Sequence, residues 1–246
     1  MTAGLVLLLL VVHQVWWTNR QALAGARSQV RALEREWEHG GGAEPAAAPA
    51  AGPEAGRTGP AEPGATPAAE PPANGGGPDG AGAPPPARRP APPAPRWDQA
   101  YAVLRIPRLG VVAPVAEGIS KRQVLDKGYV GHYAGTAQPG APGNFALAGH
   151  RNTHGEPFRY INRLRTGDEL IVDLRGRRYT YVVGRRLDQT LERDTGVIDP
   201  VPRSLVHPEA GYRSAGSYIT LTTCTPEFTS RYRLVVWGTL RGVADR

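Results

Sequence analysis

The chain has 246 residues, a formal net charge of +7 and a single cysteine. One cysteine excludes both an internal disulfide and a cysteine-rich zinc site. The basic residues are almost all arginines, scattered with no basic run interleaved with aromatic side chains, so a nucleic-acid partner is not expected.

The N-terminal segment has the character of a membrane anchor. Residues 4–12 read GLVLLLLVV, and Trp16 and Trp17 close the apolar stretch, as amphipathic rings do at a bilayer interface. We predict a transmembrane anchor over residues 1–19, with the remainder extracytoplasmic. The stretch is shorter than the ~20 residues that span a bilayer, and no basic residue precedes it, so we expect upstream residues to supply both. A cleaved signal peptide ending near Ala22-Leu23-Ala24 is the alternative.

A helical stripe follows the apolar segment. Leu23, Ala26, Val30, Leu33 and Trp37 recur at three- and four-residue spacing. We predict a juxtamembrane helix over residues 20–39, with a short coiled coil as the alternative.

Residues 40–96 are predicted to form a disordered linker. Sixteen of the 25 prolines lie there, and the stretch contains no Leu, Ile, Val, Met or aromatic residue. Such a composition buries too little apolar surface to offset the entropy lost on folding. We interpret it as a spacer that holds the C-terminal domain away from the membrane.

Residues 97–246 are predicted to fold as one mainly β catalytic domain. Short runs alternate or cluster apolar residues between Gly and Pro, and we predict a closed β-barrel of seven to eight strands, with a sandwich as the alternative. Ser120–Leu125 and Pro157–Leu164 are predicted as short helices. The strands are predicted at Tyr101–Ile106, Val111–Val115, Asn144–Ala148, Leu170–Leu174, Tyr179–Val183, Tyr218–Thr222 and Leu234–Thr239.

Cys224 is the candidate nucleophile. It ends a predicted strand and precedes Thr225-Pro226, which places the thiol at a rim. A free cysteine is more often a small buried hydrophobe. However, a hairpin would bring Arg233, at the start of the next strand, back alongside it. A guanidinium there can lower a thiol pKa or supply donors to an oxyanion.

A base should accompany the thiol, and His150 and His132 are the two candidates. His150 directly follows the apolar strand Asn144–Gly149, where small residues let a substrate backbone approach. Strand-end placement therefore favours His150 over His132. His13 belongs to the apolar segment, His39 to the linker, His154 to a polar turn and His207 to a Pro-flanked loop.

Two motifs resemble those of the sortases. Thr220-Leu221-Thr222-Thr223-Cys224-Thr225-Pro226 with Tyr232-Arg233-Leu234 is similar to the TLxTC signature and its downstream arginine. Gly131–Thr136 followed by Ala146-Leu147-Ala148-Gly149-His150-Arg151 resembles the segment that carries the sortase histidine. With the anchor and the Pro-rich linker, the chain is most similar to class E sortases of actinobacteria. Class C and D sortases share much of the same sequence motifs.

Sortases are cysteine transpeptidases, and the resemblance implies their β-barrel fold. It also implies that Cys224 is the nucleophile, His150 the acid/base and Arg233 the residue that stabilises the oxyanion or the substrate. Arg231 competes with Arg233 for that role. Tyr133 and Thr223 are candidate substrate-binding residues. The implied substrates carry an LAxTG- or LPxTG-like sorting signal, and the implied acceptor is a peptidoglycan-precursor (lipid II) amine.

No cofactor is expected. Asp168, Glu169 and Asp173 are too few and too strand-like for a metal site. Two other functions remain open from the residues alone: a secreted cysteine peptidase, in which water resolves the thioester, and a silent β-barrel binding module with a buried thiol.

Overall fold

The computed structural model describes residues 2–39 and 99–246. It comprises one long helix and eight strands, with four short 3-10 turns between strands. The predicted linker over residues 40–96 lies outside the described residues. The elements are α1 Thr2–His39, β1 Ala100–Ile106, β2 Val111–Glu117, β3 Val130–His132, β4 Gly143–Ala148, β5 Glu169–Leu174, β6 Arg177–Leu191, β7 Ser217–Thr225 and β8 Tyr232–Asp245.

The strands close into a barrel in the order β1-β2-β3-β4-β7-β8-β6-β5, which confirms the predicted fold class. β5 pairs with β1 and completes the ring. Most neighbours are antiparallel, but β2–β3 and β4–β7 are parallel pairs. The β4–β7 pair matters most for the site, because parallel strands end at the same edge of a sheet.

The barrel interior is filled by apolar side chains from every strand. Leu104, Phe145, Leu147, Ile219 and Leu221 are fully buried there. Alternate residues of a strand point to opposite faces, so the alternating runs in the sequence place these side chains inside. The packed interior leaves the strand ends and their loops to carry the chemistry.

The predicted strands are all present, and three elements differ from the prediction: β3, β6 and β8, the last of which continues past Thr239 to Asp245. β3 was not predicted, because three residues carry no periodic signal, and β6 extends well past Val183. The residues Gly184–Leu191 are mostly polar, yet they pair with β8 across register shifts. Pairing with a long neighbour outweighs their weak strand propensity.

Neither predicted short helix is an α-helix. The Ser120 region forms turns and a 3-10 turn at Leu125–Lys127, which stops at Gly128 in the left-handed conformation. Pro157–Leu164 likewise yields turns and the 3-10 turn Ile161–Arg163. Each segment is too short to offset the cost of helix nucleation.

The helical stripe of α1 faces the barrel. Val30 and Leu33 are buried against Ala100 and Val103 of β1, with Trp37 and Tyr129 packed around them. Glu34 pairs with Arg105 and Arg246. His39 is the last residue of α1, as the predicted end of the juxtamembrane helix has it, and does not belong to the linker. In the described parts of the chain, we find no helix with the length and apolar character that crossing a membrane requires.

Candidate active site

Cys224 and Arg233 are direct cross-strand neighbours. β7 and β8 run antiparallel, and their register pairs Cys224 with Arg233, so the predicted hairpin arrangement is present. The thiol is half-buried rather than enclosed in the core. Its position near the end of β7 places it at the barrel rim, where a substrate has access.

His150 reaches the same rim through the parallel β4–β7 pair. Ala148 of β4 is registered with Thr222 of β7, so the residues that follow both strands lie side by side. The Thr223 hydroxyl donates to the Gly149 carbonyl at 2.8 Å, and the Gly149 N–H donates to the Thr222 carbonyl at 3.2 Å. These bonds fix the start of the His150 loop against the end of β7.

Asp126 is the hydrogen-bond partner of His150. The His150 Nε2 lies 2.8 Å from the Asp126 Oδ1. A carboxylate accepts, so the Nε2 carries the proton and the Nδ1 is left for other groups. The His154 ring lies nearby, with the two ring centroids 5.3 Å apart and the ring planes tilted by 30°. Sequence reasoning missed Asp126, because it lies in a separate turn and no local signal links it to His150.

Arg151 joins the histidine loop to the cysteine strand. Its buried guanidinium donates from Nη1 to the Cys224 carbonyl at 3.1 Å and to the Thr225 hydroxyl at 2.8 Å. Glu227 lies 3.7 Å from its Nη2. This residue was also missed, although the dipeptide His150-Arg151 at a strand end was a visible signal.

The residues predicted for the site line one groove of about 680 Å³. It contains His150, Cys224, Arg233, Tyr133 and Thr223, and Phe228 stands 76% exposed at its edge. The other lining residues are Ile119, Lys121, Leu125, Ala148, Gly149, Arg151, Asn152, Thr153, Glu192, Thr222, Thr229 and Ser230. Both cationic and apolar groups are therefore available to an extended ligand.

Arg233 is held in place by backbone and charge contacts. Its Nη1 donates to the carbonyls of Ser230 and Tyr232 at 2.8 and 3.1 Å, and its Nη2 pairs with Glu192 at 2.6 Å. Arg231 is exposed, stacks on Tyr232 and is not among the groove-lining residues. The geometry therefore favours Arg233 over Arg231.

The two candidate substrate-binding residues differ in how they are engaged. The Tyr133 hydroxyl lies 3.0 Å from the Thr222 Oγ1, and burial raises the pKa of its phenol. The Thr223 side chain is buried, and its hydroxyl already serves the Gly149 carbonyl. Tyr133 thus presents ring surface to the groove, whereas Thr223 supports the loop.

His132, the other candidate base, is enclosed by its neighbours and is not among the residues that line the groove. It is fully buried, its Nδ1 lies 2.7 Å from Glu117 and 2.9 Å from the Tyr101 hydroxyl, and its Nε2 lies 2.9 Å from the Thr136 hydroxyl. Burial lowers the pKa of His132, against the opposing pull of Glu117. With both ring nitrogens engaged inside the structure, this imidazole holds β2 and β3 together.

The acidic residue Asp173 of β5 forms ion pairs with arginines. Asp173 is fully buried and accepts from Arg105 at 2.9 Å and from Arg178 at 2.7 Å. Burial alone would raise the pKa of Asp173, but the hydrogen bonds from the two guanidinium groups outweigh it and lower the pKa. The charge of this carboxylate is balanced by arginines.

The fold and the groove together have the make-up of a cysteine enzyme built on a closed β-barrel. The chain belongs to the sortase family, the cysteine transpeptidases: the Sortase domain model matches residues 104–241. It is 40% identical over 242 residues to sortase SrtE1 of Streptomyces coelicolor, covering 96% of this chain and 54% of that protein. Sortase SrtE2 of the same organism is 30% identical over 97% of this chain and 78% of its own length.

Solved structures agree with this assignment. The crystal structure of sortase E1 from Streptomyces coelicolor with a tripeptide in the active site has 51% identity and a TM-score of 0.57, over 61% of this chain and 92% of that one. Sortase E from Streptomyces avermitilis has 41% identity and a TM-score of 0.54, over 61% of this chain and 93% of that one. These likenesses are consistent with class E. The chain spans about half the length of SrtE1.

Proposed function

We propose that this chain cleaves a C-terminal sorting signal of the LAxTG or LPxTG type between Thr and Gly and transfers the acyl group to a peptidoglycan-precursor amine. One observation carries the proposal: Cys224, His150 and Arg233 come from three different strand ends and line the same groove. The Streptomyces coelicolor sortase E1 structure has a tripeptide in its active site, which supports a peptide ligand for this groove.

In the first half-reaction the Cys224 thiolate attacks the Thr carbonyl. A carbon–sulfur bond forms, and the carbonyl electrons move onto oxygen as an oxyanion, which Arg233 and backbone N–H groups stabilise. Collapse of this intermediate breaks the Thr–Gly bond. His150 donates its proton to the leaving amine, and a thioester remains.

In the second half-reaction an acceptor amine attacks the thioester carbonyl. His150 takes the proton from the amine, the new amide bond forms, and Cys224 leaves as the thiolate. Asp126 supports both steps, because its carboxylate accepts from the His150 Nε2 and so fixes the orientation of the imidazole ring. The Nδ1 is then the nitrogen that exchanges the proton.

Arg233 is suited to the oxyanion role by its tether. Its partner Glu192 is largely exposed, so their ion pair lies in high dielectric and holds the guanidinium only weakly. The backbone bonds to Ser230 and Tyr232 keep the side chain beside Cys224 while the Glu192 contact exchanges for substrate.

Tyr133 presents its ring to the same groove, where it would narrow the pocket for the second residue of the signal.

We also propose that α1 holds the chain at the cell membrane, with the barrel extracytoplasmic. Its first turns leave apolar side chains about half exposed, including Leu9, Leu10, Trp16 and Trp17. The cation of Arg20 stacks on Trp16. The full chain should sediment with anionic phospholipid vesicles, and the Leu9→Asp, Leu10→Asp variant should stay in the supernatant. Equal sedimentation of the two proteins would remove the support for this assignment.

The transpeptidation proposal is tested with a fluorogenic sorting-peptide library and an added amine. Mass spectrometry separates the amine adduct from the hydrolysed acid, which also distinguishes a transpeptidase from the peptidase alternative. We expect amine-dependent product with LAxTG or LPxTG peptides, and no turnover by Cys224→Ala with an unchanged circular dichroism spectrum. Turnover retained by Cys224→Ala would reject the nucleophile assignment.

A further inference from the structure

Three metal-ligating side chains meet behind the His150 side of the groove. Asp126 lies in the 3-10 turn before β3, and His150 and His154 lie four residues apart in the loop after β4. The Asp126 Oδ1 is 2.8 Å from the His150 Nε2 and 3.6 Å from the His154 Nδ1. One donor atom from each residue lies within 4.8 Å of the other two.

These separations suit a small transition-metal cation. Metal–ligand bonds of ~2.1 Å in a tetrahedral arrangement place neighbouring donors roughly 3.4 Å apart. Since the donors lie within 4.8 Å of one another, side-chain movement of at most ~1.4 Å would close the set. Two imidazoles and one carboxylate are donors that Zn²⁺ favours, whereas Ca²⁺ and Mg²⁺ favour oxygen alone. The side chains of Asp126, His150 and His154 are 37%, 17% and 28% exposed, so a cation can enter and keep an open position.

His154 has an unused donor atom at this point. Its Nδ1 is buried and has no hydrogen-bond partner among the described residues. The atom lies on the side of the ring that faces the Asp126 carboxylate. A buried polar atom without a partner is costly, and a bound cation would satisfy it.

The helix α1 holds the loop that carries His154. Asn19 donates to the Glu156 carboxylate at 2.7 Å, and its Oδ1 accepts from the Gly155 N–H at 3.4 Å. The residue next to His154 is therefore fixed from behind, so the three donors need little rearrangement. A ligand set held this way loses less entropy on binding a metal than a mobile one.

We propose that Asp126, His150 and His154 form a site for Zn²⁺ or a similar divalent transition metal, and that filling it stops transpeptidation. A metal on the His150 Nε2 takes the position of a proton, so the ring can no longer become the doubly protonated imidazolium that protonates the leaving amine. The inhibition rests on the proposed role of His150. The binding itself does not.

Binding is measured without the thiol. Zn²⁺ affinity is determined by competition with a chromophoric chelator on the full chain carrying Cys224→Ala, because a free thiolate would bind Zn²⁺ by itself. We expect one Zn²⁺ per chain, and an affinity about 10-fold or more lower after the further change His154→Ala. The matched control is His207→Ala, a partly exposed loop histidine. Equal affinity in the Cys224→Ala protein with and without His154→Ala would overturn the site.

Inhibition is then measured on chains that keep Cys224. Zn²⁺ should inhibit sorting-peptide turnover, and His154→Ala should keep its basal turnover while needing about 10-fold more Zn²⁺ for the same inhibition. Unchanged Zn²⁺ sensitivity in His154→Ala would overturn the inhibitory role. Binding through His154 with undiminished turnover would instead count against His150 as the acid, and so against that part of the proposed function.

Discussion

At the scale of single residues, the two arginines near the start of β8 are expected to differ in function. Arg233 is the cross-strand neighbour of Cys224 and lines the groove, whereas Arg231 is exposed and stacks on Tyr232. Arg233→Ala should lower kcat/KM for a sorting peptide by about 10²–10³-fold, as loss of an oxyanion donor does. Arg231→Ala should change it less than threefold. Steady-state kinetics on both variants decides between them, and the reverse order would exchange the two roles.

Arg151 supports the site from within. Its side chain is buried and donates to the Cys224 carbonyl and to the Thr225 hydroxyl. Because Arg151 directly follows His150 in the chain, these bonds join the histidine loop to the cysteine strand. Arg151→Met keeps the apolar stem but leaves both acceptors unsatisfied, so we expect about 1–3 kcal/mol of destabilisation. We also expect kcat to fall, because the thiol and the imidazole lose their common brace. Urea unfolding and turnover measure the two effects, with the exposed Arg165→Met as control. An unaltered kcat in Arg151→Met would contradict the bracing role.

At the scale of elements, α1 and β1 depend on each other. Leu33 is buried against the β1 surface, and Glu36 on the same helix is exposed. Leu33→Ala should weaken the docking of α1 by about 2–3 kcal/mol. Amide hydrogen exchange should therefore accelerate along α1 while the barrel strands stay protected. Glu36→Ala should leave exchange unchanged, and a barrel that loses protection together with the helix would show that the two unfold as one unit.

The elements also show which parts of the fold the sequence predicts. Strands such as Tyr218–Thr222 were visible because apolar residues alternate along them. β3 was not, because its three residues owe their structure to Ala116 and Leu147 on neighbouring strands. The stripe on α1 predicted a buried face, but a stripe does not identify the surface that covers it.

Only some residues of the candidate site could be predicted from the sequence. Cys224, His150 and Arg233 were predicted because each lies at a strand end within a recognisable motif. Asp126 and Arg151 act through contacts 24 and 73 residues apart in the chain. Pairings of this kind arise only when the barrel closes and its loops meet.

At the scale of the whole molecule, the buried His132 links stability to pH. Burial lowers the pKa of His132, so below the ordinary histidine pKa of ~6.5 the unfolded chain binds a proton that the folded chain resists. The His132 contribution is therefore complete above pH ~6.5 and is lost as pH falls through the lower, folded-state pKa. Glu117 and Tyr101, which contact the ring, set how far this window extends.

The measurement is the free energy of unfolding in urea at several pH values. Between pH ~7 and pH ~5 the wild type should lose more stability than His132→Gln, which packs a neutral side chain at the same position. The variant His207→Gln, at a partly exposed loop position, should follow the wild type. Parallel curves for wild type and His132→Gln would mean that the pKa of His132 is the same in the folded and unfolded states.

The docking of α1 on the barrel gives the molecule a fixed ruler. From Trp17, where the apolar end of the helix stops, to Leu33, where the helix is seated on β1, the rise is roughly 24 Å at ~1.5 Å per residue. The number of helical residues between Trp17 and Leu33 therefore determines the distance between the groove and a surface that binds the first turns of α1. One residue inserted between Trp17 and Leu33 would rotate the apolar end of α1 by about 100° relative to the barrel and displace it.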